Sequence, residues 1–212
     1  MSALILSDYD KEYGDAIKGL FSTIENHVHV LDHHNLVLFT GGEDVHPAMY
    51  GEKMVEQWGC NIKRDIEEAR SYEKAKSLGI PCLGICRGAQ FLNVMNGGKL
   101  YQHVSNHTRN HLAKCNTING VMNKYTVVST HHQMMYPADH RILYAWSEGI
   151  SDEFVGLNKD LPKTSDGLFV EPEIVFYPDT RDLCVQFHSE RDYSIGGAKE
   201  YVKTLVQELL IN

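Results

Sequence analysis

The sequence predicts an α/β fold, a mostly parallel central sheet sandwiched by helices. Three observations point to it. Short apolar runs alternate with longer amphipathic stretches through the first half of the chain, the pattern of parallel strands with helices on both faces. Two of those runs stop abruptly at close glycines, as strands do where they enter tight connections. The chain has 212 residues, of which 42% are hydrophobic, enough for one full core, so a single domain over 1–212 is expected.

The elements follow in order. Leu4 to Leu6 reads as a first strand, and Tyr13 to Ile24 as a helix with Ile17, Leu20, Phe21 and Ile24 on one stripe. In "NLVLFTGGEDVHP" the run Leu36 to Phe39 is a buried strand ending at Gly41-Gly42. Asn61 to Leu78 is charged and helical, closed by Gly79 and Pro81. "PCLGI" is the next buried strand, and Arg87 to Met95 a helix closed by Gly97-Gly98. Further on, Tyr125 to Ser129 and Ile142 to Trp146 read as antiparallel strands, Glu173 to Tyr177 and Leu183 to Phe187 as another pair, and Lys199 to Leu210 as a closing amphipathic helix. There is no internal repeat or linker, and Ser147 to Thr180 carries little periodicity.

Composition narrows the function classes. The formal net charge is −8 and no lysine or arginine run occurs, so the footprint of a nucleic-acid binder is missing. The longest apolar run near the start, Ala3 to Leu6, is far too short for a signal peptide or a membrane span, so a cytoplasmic protein without membrane partners is expected. Five cysteines, Cys60, Cys82, Cys86, Cys115 and Cys184, show no paired spacing, which favours reduced thiols over a disulfide framework.

One of those cysteines stands at a corner. Gly84-Ile85-Cys86-Arg87-Gly88 has the form G-x-C-x-G at a strand-to-helix junction, the cysteine counterpart of a nucleophile elbow. Its glycines allow a tight turn and close approach of a substrate, and a cysteine at a helix N-terminus is favoured as the nucleophilic thiolate. A nucleophilic cysteine needs a base, best held by an acidic third group, and "LCVQFHSERDY" offers both. His188 and Glu190 lie just past the end of a predicted strand, where α/β enzymes place functional groups, and two residues apart on extended chain they share a side. Gly41-Gly42 supplies unscreened backbone amides suited to an oxyanion, with the amide of Arg87 as the second donor.

Taken together, "GICRGAQFLNVMNGGKLYQ", "FTGGEDVHPAMYGE", "STHHQMM" and "VQFHSE" resemble the class I glutamine amidotransferase superfamily, most closely its γ-glutamyl-γ-aminobutyrate hydrolase-like branch. The resemblance covers about three quarters of the chain. It implies a flavodoxin-like fold and a Cys86, His188, Glu190 triad that attacks the γ-amide carbonyl of glutamine or of a γ-glutamyl amine, a small-molecule substrate. A γ-glutamyl thioester would form and water would release glutamate, with no metal or organic cofactor. By the same carry-over Gly42 and Arg87 give oxyanion amides, Gln90 holds the glutamyl end, and His132 and Gln133 of the "HHQ" segment lie at the pocket. A glutaminase subunit delivering ammonia to a separate synthetase, and a non-catalytic γ-glutamyl sensor, are the alternative readings. This chain has Ser189 where the family usually has proline and Phe187 where it usually has tryptophan.

Two further patterns remain. His103, His107 and His111 are spaced i, i+4, i+8, a possible metal site on a helix, but "HVSNHTRNH" is polar and follows a glycine pair, so it reads as a loop carrying substrate contacts and no metal site is expected there. Arg64, Asp65 and Glu68 match the family's R-D-x-x-E helix, and as a bare pattern they read as a solvated face with an intrahelical ion pair.

Overall fold

A computed structural model describes residues 2–6, 13–14, 17, 23–26, 34–55, 59–192 and 197–212. Its strands are β1 (Ser2–Leu6), β2 (Thr23–Asn26), β3 (Leu36–Phe39), β4 (Cys82–Ile85), β5 (Lys99–Tyr101), β6 (His103–Val104), β7 (His111–Asn116), β8 (Met122–Val127), β9 (Met134–Tyr136), β10 (Ile142–Ser147), β11 (Phe154–Val155), β12 (Glu171–Tyr177) and β13 (Asp182–Val185). The longer helices among the described residues are α1 (Ile62–Ser77), α2 (Arg87–Met95) and α3 (Ala198–Val206), the last running on into a wider turn over Gln207–Ile211.

Nine strands form one sheet in the order β2-β1-β3-β4-β13-β12-β10-β7-β8. From β2 to β13 every neighbour is parallel, and from β13 to β8 every neighbour is antiparallel. The parallel half explains the continuous apolar runs read from the sequence, because β3, β4 and β13 are buried along their whole length between two layers. Strand alternation divides the core. Leu36, Leu38, Leu83, Ile85, Leu183 and Val185 pack with Tyr201, Val202 and Leu205 of α3, while Val37, Phe39, Cys82 and Cys184 pack with Tyr72 and Ala75 of α1 and Phe91 and Leu92 of α2.

The structure corrects parts of the sequence reading. Tyr13 and Gly14 are helical, but Ile24 lies in β2, so the helix expected over Tyr13 to Ile24 does not reach its predicted end; most of that stretch falls outside the described residues. Strand β8 begins at Met122, three residues before the expected start at Tyr125, and it does not pair with β10. Strand β7, which has no counterpart in the sequence reading, lies between them; its short "HLAKCN" run follows polar turns that mask it. All five cysteines are free thiols.

Candidate functional site

The elbow around Cys86 is built by steric necessity. Cys86 has φ 54° and ψ −113°, one of three non-glycine residues with positive φ among the described residues. A Cβ on Gly84 would lie 2.4 Å from the carbonyl oxygen of Gly88, and a Cβ on Gly88 would lie 2.0 Å from the carbonyl oxygen of Phe39. The helix can therefore start this close to β3 and β4 only if both positions lack a side chain. Cys86 is the N-cap of α2 and its side chain makes no cap bond, so the first amides of the helix, that of Arg87 foremost, stay available for an anion in front of it.

His188 and Glu190 arrive from β13, the strand beside β4. His188 Nδ1 lies 2.5 Å from Glu190 Oε1, and both side chains are buried. The backbone amide of His188 donates to Val128 O at 2.8 Å, which fixes where the ring stands. Burial alone would push the imidazole down, but hydrogen bonds to Cys86 and Glu190, with the negative charge those groups carry, hold it up at about 9. With Nδ1 taken by Glu190, the ring's other nitrogen is left for a second partner.

The glycine loop lies against this pair. A Cβ built on Gly41 would be 3.4 Å from His188 Cε1. The amide of Gly41 is already committed, donating at 3.0 Å to the hydroxyl of Tyr13. Gly42, at φ 140°, has a conformation open to glycine alone, and a Cβ there would meet Arg64 Nη1 at 2.2 Å. Of the two expected oxyanion amides in this loop, that of Gly42 is the one not bonded to Tyr13. Tyr13 has no motif around it in the sequence, yet burial and the nearby Glu190 and Cys86 push its phenol well above the usual tyrosine range.

The R-D-x-x-E helix is buried structure, contrary to the solvated face expected of it. The Arg87 guanidinium is buried, bonded through Nη1 to Glu68 Oε2 and through Nη2 to Asp65 Oδ1. Arg64 Nε donates to Glu68 Oε1 at 2.9 Å, and its Nη2 donates to the carbonyls of Thr40 and Gly41 at 3.3 and 3.1 Å. Asp65 also accepts from the amide of His46 at 2.9 Å. One helix face thus holds both the residue after Cys86 and the carbonyl side of the glycine loop. The excess of acids over bases on that face, against a basic residue inside the elbow, was the available signal.

The remaining expected residues divide. Gln90 Nε2 donates to Gln133 O at 2.8 Å, and the Gln133 side chain brackets Val45, accepting from its amide at 3.1 Å and donating to its carbonyl at 3.2 Å. Both glutamines spend these side-chain bonds tying α2, the "HHQ" turn and the glycine loop together. His132 stands at a more open position, with Nε2 3.1 Å from Asp44 Oδ2 and Nδ1 3.5 Å from His103 Nδ1. His103 thereby leaves the trio of spaced histidines, whereas His107 and His111 meet with ring centroids 4.8 Å apart in a buried cluster.

The sequence profile of Peptidase C26 matches residues 20–149, more than half of the chain. This chain belongs to that family. The matched span takes in Cys86, the glycine loop and the "HHQ" turn and ends before His188. A glutamine amidotransferase-like protein of Rickettsia prowazekii is 40% identical over 93 residues, covering 43% of this chain and 32% of that protein. The YvdE homologue of Lactococcus lactis subsp. cremoris, also described as glutamine amidotransferase-like, is 41% identical over 83 residues, covering 39% of this chain and 43% of its own. These alignments thus span less than half the length of either relative. Among solved structures, a glutamine amidotransferase of Thermotoga maritima superposes with a TM-score of 0.61 at 16% identity over 90% of this Peptidase C26 chain and 76% of that one. A GMP synthase component of Thermoplasma acidophilum superposes with 0.60 at 16% identity over 96% and 91%. These likenesses show the fold, that of the class I glutamine amidotransferases. Among the described residues no helix is long and apolar enough to cross a membrane.

Proposed function

We propose that this Peptidase C26 member is a cysteine-dependent amide hydrolase of the glutamine amidotransferase type, acting on the γ-glutamyl C–N bond of glutamine or a γ-glutamyl amine. The observation that carries the reading is Cys86 held on a left-handed corner beside His188, whose proton it helps to hold, with His188 bonded to Glu190 at 2.5 Å. In the first half-reaction the Cys86 thiolate, its proton already held on His188, bonds through Sγ to the amide carbonyl carbon. The amide π electrons move onto oxygen, facing the amides of Gly42 and Arg87. Collapse breaks the C–N bond, and the amine leaves with the proton that His188 returns. Water then attacks the thioester, with His188 taking its proton, to free glutamate and restore the Cys86 thiolate beside the imidazolium. Glu190 orients the ring and balances the imidazolium.

The test is intact mass and peptide mapping after incubation with 6-diazo-5-oxo-norleucine, a glutamine-like electrophile. One adduct per chain on Cys86, absent from Cys86→Ala, is expected, together with γ-glutamyl hydrolase turnover that the substitution abolishes. Comparable turnover in Cys86→Ala would defeat the mechanism.

The likeness to a GMP synthase component favours one second reading, a glutaminase that hands ammonia to a separate synthetase. A co-purifying ATP-dependent enzyme whose addition raises the glutaminase rate would select it. Unchanged rates across candidate synthetases would leave the free hydrolase.

A further inference from the structure

Behind the candidate triad lies a second, buried cluster that the hydrolase chemistry does not use. One donor atom from each of His107, His111 and Glu173 lies within 4.8 Å of the other two, and all three residues are buried. His111 Nε2 is 2.6 Å from Glu173 Oε1, and His107 Nδ1 is 3.8 Å from the same oxygen. His131 packs its ring on that of His107 with centroids 4.7 Å apart.

Each histidine has its outer nitrogen anchored, and of the inner nitrogens only that of His111 is already bonded, to Glu173. His111 Nδ1 meets Arg109 O at 3.1 Å, His107 Nε2 meets Glu171 Oε2 at 2.5 Å, and His131 Nδ1 meets Gln133 O at 2.8 Å. This is how metal-bound imidazoles are oriented, the outer nitrogen held by a carbonyl or carboxylate and the inner one left for the ion. Three polar atoms of the cluster, His107 Nδ1, His131 Nε2 and Glu173 Oε2, are buried with no hydrogen-bond partner among the described residues. Leaving such atoms unpaired in the interior is costly. A network of histidine–carboxylate bonds alone does not relieve that cost, whereas a cation held by His107 and Glu173 would use the first and the last of these atoms.

We propose that His107 Nδ1, His111 Nε2 and Glu173 bind a divalent transition-metal ion, with water completing its shell. Nitrogen and carboxylate donors in this proportion suit Zn²⁺ or Co²⁺. Bonds of about 2.0–2.1 Å at tetrahedral angles place donors roughly 3.3 Å apart, so the 2.6 Å contact must open and the widest separation close by up to about 1.5 Å. The i, i+4 histidines are presented by a turn running into β7, and the partner carboxylate comes from β12 across the sheet. That is why a reading that sought a helix for these histidines expected no metal.

The ion would brace the strand that carries His188. The amide of Gln186, two residues before His188, donates to Glu173 O at 2.8 Å, and Ser129 Oγ donates to His107 O at 2.5 Å beside the Val128 carbonyl that accepts from His188. Its role is therefore structural, and it does not depend on the proposed hydrolase activity.

The experiment is a Co²⁺ titration of the chelator-treated full chain, read by visible d–d absorption and by metal content after desalting, with Zn²⁺ as competitor. One equivalent per chain with tetrahedral-type absorption, displaced by Zn²⁺, is expected. Glu173→Gln and His107→Ala should weaken binding at least tenfold, with Glu173→Gln nearly isosteric should His107→Ala fold poorly. His103→Ala, which alters the more open histidine pair, and Cys86→Ala should bind as the unmodified chain does. No bound cobalt, binding unaffected by Glu173→Gln, or binding lost in Cys86→Ala or His103→Ala would each overturn the assignment.

Discussion

Arg87 and Asp65 are bonded to each other in the interior, 22 positions apart in sequence, and through this bond α1 clamps the first residue of the helix that follows Cys86. Burial pulls the Arg87 guanidinium down to about 10, with Arg64 adding to the fall and Asp65 opposing it, so Arg87 stays charged at neutral pH. Removing one partner of such a pair strands a charge in a dry site, a loss of about 3–5 kcal/mol. Asp65→Ala is therefore expected to lower unfolding stability by that order in urea, because it strips both Arg87 and the amide of His46. A loss below about 1 kcal/mol, the value of an exposed pair, would mean that the face is solvated after all.

The two glycines of the elbow make a sharper prediction about backbone. In Gly88→Ala the new Cβ would meet the carbonyl oxygen and carbon of Phe39 at 2.0 and 2.4 Å, and a central strand cannot give way. Gly51 has positive φ but open space around it. Gly51→Ala should cost only about 1–2 kcal/mol, the usual left-handed penalty, while Gly88→Ala should be too unstable to recover as soluble folded protein. Thermal melts of the two side by side decide it, and a Gly88→Ala chain as stable as Gly51→Ala would show that α2 does not lie against β3 as described.

His188 gives the pH dependence. Folded, it keeps its proton to about 9, whereas an unfolded histidine releases it near ~6.5. Its charged form therefore stabilises the fold fully below about 6.5, and that contribution is lost as pH rises through 9. The Tm advantage of the unmodified chain over His188→Asn should shrink across this window. Histidine Cε1–H resonances should titrate with a midpoint near 9 that falls in both Cys86→Ala and Glu190→Gln. A midpoint at the ordinary histidine value, or one indifferent to both substitutions, would contradict the Cys86 and Glu190 bonds on the ring.

What the sequence makes legible is what local chemistry encodes. Cys86, Gly84 and Gly88 are readable because a strained corner demands those residue types in a fixed order, and His188 and Glu190 because they end an apolar run. Strands β3 and β4, buried on both faces, announce themselves by apolar runs alone, whereas β7 with its polar lead does not. Long-range partners stay hidden. Nothing near Asp65 or Glu68 says that Arg87 will be their counter-ion, and nothing near His107 says that Glu171 and Glu173 lie across the sheet. Gln90 and Gln133 read as substrate contacts, but their placement on backbone groups of neighbouring loops depends on how those loops meet.

Tyr13 is the residue whose removal says most about the glycine loop. Its hydroxyl accepts the Gly41 amide at 3.0 Å in a buried setting, which leaves the next amide, that of Gly42, as the loop donor in the proposed mechanism. In Tyr13→Phe the Gly41 N–H loses its acceptor, a cost of about 1–3 kcal/mol that the loop can reduce by turning. Turning moves Gly42 as well, so the oxyanion loses a fixed donor. Such a donor acts on the transition state more than on the bound substrate, and kcat is expected to fall about tenfold or more with KM little changed. Steady-state rates with a γ-glutamyl anilide, compared with Tm, separate this from simple unfolding. An unchanged or higher kcat would mean that Tyr13 occupies an amide that the reaction needs, and that the loop must release it before an oxyanion can bind.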